Sequence, residues 1–115
     1  MILIRSKFLV NFLTFKFANA IALFPFVIIK MDERTLNDTM VNHEKIHLRQ
    51  QIELLIIGFY ILYILEFIIH YIRLQNRLKA YLSISFEREA YGNEGNHDYL
   101  KFRKNWSFLK YFNFH

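Results

Sequence analysis

From Thr39 to Asn76 the pattern is helical without an obvious stop, and this constrains the fold more than any other feature. Within it, Leu54 to Leu65 is twelve residues without a charge, bracketed by Glu53 and Glu66. Twelve is short for a membrane span. The 21 residues from Ile52 to Ile72 are long enough but include Glu53, Glu66 and His70. The run therefore reads as a buried or membrane-embedded helix whose acids need partners. Gly58 is its one helix-weakening residue. A second helical stretch covers Ser83 to about Tyr91 and ends at "GNEG", Gly92 to Gly95.

The remaining sequence adds little regular structure. Segment 20–30, "AIALFPFVIIK", is β-branched and aromatic, and Pro25 inside it points to an exposed edge strand. "MDERTLND", 31–38, reads as a turn into a helix start, with Thr35, Asn37 and Asp38 as candidate N-caps. The expected fold is mainly α with a short β edge strand, a single domain over 1–115 built round a long apolar helix or helical hairpin. The N-terminal basic and apolar residues followed by "ANA" at 18–20 hint at a secretory signal. Asn11, Thr14 and Lys16 interrupt the apolar core, so the segment is read as part of the mature protein.

Hydrophobic residues make up 54% of the chain and aromatic ones 18%, an excess that calls for a membrane or partner to cover apolar surface. The net charge of +5 is unevenly laid out. Residues 1–31 carry Arg5, Lys7, Lys16 and Lys30 and no acid. The tail interleaves Lys101, Arg103, Lys104 and Lys110 with aromatic residues from Phe102 to Phe114. Such alternation can stack on nucleic-acid bases or meet an anionic membrane. No nucleic-acid motif accompanies it, so a membrane is the expected partner. There is no cysteine, which excludes disulfides and thiolate metal sites and leaves His, Asp and Glu as ligands.

The chemistry concentrates in "HEKIH", His43 to His47. Residues four apart on an α-helix lie about 40° apart around the axis, so His43 and His47 can face one ion. Glu44 sits about 100° round, badly placed as a ligand but well placed as general base for a metal-activated water. A third ligand is required, and two glutamates compete. Glu66 follows His47 after eighteen residues, in apolar surroundings, and Glu87 lies in "SFEREAYGNE". Gln50 and Gln51 continue the histidine face as possible braces or plain surface amides. Glu89 reads as a solvated neighbour and His70 as a satisfied or interfacial helix histidine. His97 or Tyr99 are candidates for an oxyanion donor, and His115 is terminal.

"HEKIHLRQQ" followed by "FEREAY" resembles the gluzincin metallopeptidases, and most closely short bacterial domains reading HExxHxxQQ and then ExxAD. The chain is also similar to small membrane-associated proteins of Bacteroidetes type. The resemblance covers residues 19–94. It implies a minimal zincin-like domain with one zinc ion held by His43, His47 and Glu87, and peptide-bond hydrolysis with Glu44 as general base. Residues 20–30 would be the strand that aligns a peptide substrate. Tyr91 departs from the pattern, since those domains place there an aspartate that orients a ligand histidine. A non-catalytic membrane-associated protein, its metal structural or absent, is the competing expectation. Geometry adds a condition. A straight helix from His47 to Ile72 rises about 37 Å, and the fourteen residues from Arg73 up to but not including Glu87 return only about 21 Å as helix. Glu87 can therefore reach the histidines only if the run breaks. The break is expected near Gly58, with the arms packed as a hairpin and Glu66 buried away from the metal.

Overall fold

A computed structural model describes residues 2–14, 20–29 and 37–112. Residues 31–36 of the turn expected over 31–38, the Thr35 cap and His115 lie outside them. Among the described residues β1 (Ile2–Arg5), α1 (Lys7–Thr14), β2 (Ala20–Leu23) and β3 (Phe26–Ile29) precede the long run. There follow α2 (Asp38–Glu53), α3 (Ile57–Leu74), α4 (Arg77–Ser83), α5 (Ser85–Asn93), the short α6 (Tyr99–Phe102) and a 3-10 turn (Ser107–Tyr111). The fold is mainly helical, with a small sheet and one long apolar helix.

The single edge strand expected over 20–30 is a hairpin. Pro25 lies in the turn between β2 and β3, where its missing N–H removes no ladder bond. β3 is the central strand, antiparallel to β2 and parallel to β1, so the N-terminal residues complete the sheet. Ala20, Ala22, Val27 and Ile29 pack with Leu48 of α2 to form one apolar cluster. Phe59, Ile84, Phe86 and Phe108 form the second. Phe108 and Arg103 are buried, so part of the basic aromatic tail is core and not surface.

Asn37 caps α2, its side chain accepting from Met40 N at 2.8 Å. The helix ends at Glu53. Leu55 N–H bonds Ile52 O and Ile56 N–H bonds Gln51 O, the paired closing bonds of a Schellman turn. Leu55 occupies its left-handed position (φ 58°) and Ile56 follows at φ 66°, ψ −60°. The run therefore breaks at Leu54–Ile56, and Gly58 falls inside the first turn of α3. The hairpin partner of α3 is mainly α4, reached through a left-handed Gln75. That second reversal returns the chain so that α5 packs against α2.

Candidate metal centre

α2 buries an unusual face for a helix. Asn42, His43, Glu44, His47, Gln50 and Gln51 are all buried, beside only Ile46 and Leu48. An amphipathic surface helix with solvated histidines is excluded, because His43 is 7% exposed and His47 5%. Buried polar groups must be paired or functional, and among the described residues each of these except Glu44 has an identifiable partner.

His43 Nε2, His47 Nε2 and Glu87 Oε1 converge into a triangle with sides of 3.0–3.1 Å. This buried His-His-Glu group can hold a metal ion. A tetrahedral ion with ligand bonds of 2.0–2.1 Å spaces its ligand atoms about 3.3 Å apart, so the three atoms need to part by only a few tenths of an ångström. The other ring nitrogens determine what the triangle contains. His43 Nδ1 is 2.7 Å from Glu94 Oε2, and a carboxylate only accepts, so this nitrogen carries a hydrogen. His47 Nδ1 is 2.8 Å from Gln50 Oε1, while Gln50 Nε2 donates to Phe86 O and Glu89 Oε1. That fixes the amide orientation and makes Nδ1 of His47 a donor too. In the neutral imidazoles both Nε2 atoms are then bare lone pairs aimed at a carboxylate oxygen. Three acceptors so close repel one another unless a metal ion or a proton on His47 joins them.

Glu87 is held for a single-oxygen contact, since its Oε2 accepts from Tyr63 Oη at 2.7 Å. Burial opposes its charge, but His47 and His43 outweigh that and hold its pKa well below the carboxylate range. Burial likewise disfavours a charged His47, yet the Glu87 carboxylate raises its pKa to about 9. Glu44 is buried beside the same groups, and its Oε2 has no hydrogen-bond partner among the described residues. Burial raises its pKa, against the pull of His47 and His43.

Tyr91 does not stand in for the orienting aspartate. Its ring lies edge-on to His43, centroids 4.4 Å apart, and its hydroxyl meets Tyr81 Oη at 3.1 Å. Glu94, three residues on, supplies the carboxylate. Asn42 holds the loop that carries Glu94, donating through Nδ2 to Glu94 O and Asn96 O, each at 2.9 Å.

Glu66 lies outside the cluster. Its carboxylate accepts from Ser85 N at 2.8 Å and Ser85 Oγ at 2.7 Å, satisfying the start of α5, where a negative charge also favours the helix dipole. Glu89 is not solvated. It is fully buried, bonded to Gln50, Tyr99 and Arg103, while Arg103 grips Glu53 through both terminal nitrogens. Tyr99 is thus committed to Glu89, His97 is exposed, and His70 is buried beside Arg73. Gln50 braces His47. Gln51 instead fastens α2 to the sheet, accepting from Phe24 N at 2.7 Å and donating to Ala22 O at 2.8 Å.

Glu94, Asn42 and Tyr63 carried no sequence signal of their roles, apart from Glu94 being the only acid in the loop that closes α5. Compared with known protein families, characterised proteins and solved structures, the chain matches none.

Proposed function

We propose that the chain is a minimal zinc-dependent peptidase. The reading is carried by one observation, the convergence of two imidazole nitrogens and a carboxylate oxygen beside a buried Glu44 oxygen that has no partner among the described residues. Two nitrogens and one oxygen suit zinc, and three protein ligands leave the open position of a catalytic site. Bound there, zinc would polarise a substrate carbonyl and lower the pKa of water beside it to about 7.

The chain's own residues supply the rest. Glu44 Oε2 takes the proton released as water attacks and returns it to the leaving amine. A carboxyl raised by burial sits closer to the working pH of such a base than an exposed one. Glu94 and Gln50 keep both imidazoles in the tautomer that presents Nε2, and Tyr63 keeps Glu87 on one oxygen. β2 is the strand nearest α2, so an extended peptide would align on its outer edge. Gln51 and Tyr60 already occupy Ala22 O and Phe24 N, which leaves the Ala20 end for pairing.

Burial of every ligand favours a second reading, a structural metal in a non-catalytic protein. One experiment separates them. Protein purified with zinc should contain about one ion per chain, and should cleave an unstructured polypeptide. Glu44→Gln should keep the ion and lose about 10²–10⁴-fold in rate. Wild-type protein that holds zinc but cleaves nothing supports the structural reading, and full zinc in His47→Ala rules out both.

A further inference from the structure

The outer face of α3 is a strip of aliphatic side chains. Ile57, Ile61, Ile64, Leu65, Ile68 and Ile72 are each between 47% and 73% exposed, and only 17% of the Ile57–Leu74 span is buried. On a 3.6-residue period they share one side of the helix. The strip continues onto α4 at Leu78 and Leu82. Arg73, Arg77 and Lys79 are exposed at its end, and no acid occurs between Glu66 and Glu87.

We infer that this face docks the protein onto an anionic membrane with α3 lying in the plane of the surface, not across it. At about 27 Å the helix is long enough to cross hydrocarbon, but its other side is fastened to the domain at successive turns. Tyr60 Oη donates to Ala22 O, Tyr63 Oη to Glu87, and Glu66 accepts from Ser85. Threading α3 through a bilayer would carry the buried His-His-Glu group and the Glu66 carboxylate into hydrocarbon. Lying flat, the helix buries one apolar face at the acyl boundary while its basic end meets headgroups. A second copy pairing through the same face would bring no acid to Arg73, Arg77 and Lys79. This docking stands apart from the proposed activity.

The test is flotation of the full chain with phosphatidylcholine vesicles, with and without a third of phosphatidylglycerol. Binding should be stronger to the anionic vesicles and weaken with salt. Ile61→Glu with Ile68→Glu should lower the bound fraction at least about tenfold, while zinc content and helical circular dichroism stay those of the parent. Depth is read from nitroxides at Ile57→Cys, Ile64→Cys and Ile72→Cys, each unique because the chain has no cysteine. The expected result is one shallow depth for all three. A deep Ile64 between two shallow ends overturns the in-plane arrangement. A protein that stays unbound, as a monomer or as a dimer dissociated by Ile64→Glu, overturns the docking.

Discussion

Each imidazole of the candidate metal centre has its far nitrogen engaged by a side chain that a change at one residue can test. Glu94 holds His43 through Nδ1 at 2.7 Å and is itself partly exposed, so replacing it should spare the fold. Glu94→Ala should weaken zinc binding about 10–100-fold, as expected for loss of a carboxylate behind a ligand histidine. Glu94→Gln, which keeps an acceptor without the charge, should lose less. Competition against a zinc chelator measures both, and unchanged affinity in Glu94→Ala would sink the role. "HEKIH" could be read without a structure because the helix repeat alone puts its two histidines on one side. The supporting groups could not. Glu94 reaches His43 only because the chain turns after Asn93 and Asn42 ties down that turn. Tyr63 reaches Glu87 only because the chain reverses at Gln75, which no local pattern records.

At the scale of elements, the decisive event is the turn between α2 and α3. Chain length required a break, and Gly58 was the position that propensity singled out. The break falls instead on Leu54–Ile56, where three aliphatic residues adopt a turn that ordinarily recruits glycine. Propensity is blind to this, because the residues at the turn are good helix formers held out of the helix by the two backbone bonds and by packing on either side. The N–H of Ile57 also bonds Leu55 O at 2.6 Å, closing a tight turn about Ile56. A left-handed leucine costs about 1–2 kcal/mol, and Leu55 is 84% exposed, so its side chain adds no packing to the folded domain. Leu55→Gly should therefore stabilise by about 0.5–1 kcal/mol after glycine's greater unfolded entropy is counted. That is a rise of a few degrees in Tm for a domain of this size. Leu55→Ala keeps the strained conformation and should gain almost nothing. A melting point that falls in Leu55→Gly would contradict the turn described.

For the molecule as a whole, the site couples stability to pH in a direction that reveals what occupies it. In metal-free protein His47 has a folded pKa of about 9 against 6.5 in the unfolded chain. Its contribution is complete below pH 6.5 and is lost as pH rises through 9, a loss on the order of 3 kcal/mol at most. Glu44, raised above 4.5 by burial, acts in the same sense, since the folded state holds its proton longer. Glu87 acts oppositely: its stabilisation is present above 4.5 and is lost only as pH falls through its lowered folded value. The metal-free chain should thus be most stable between about pH 4.5 and 6.5 and weaken steadily toward pH 9. Zinc bound by the proposed site would take the place of the His47 proton, so binding would expel it, and affinity should climb about tenfold per pH unit over the same interval. The gap in Tm between zinc-loaded and chelator-treated protein should consequently widen from pH 6 to pH 9, at fixed free zinc. Melting curves at half-unit steps would measure it. A gap that stays constant or narrows would mean that zinc is not bound in place of that proton, and that His43, His47 and Glu87 are a buried ion-pair cluster.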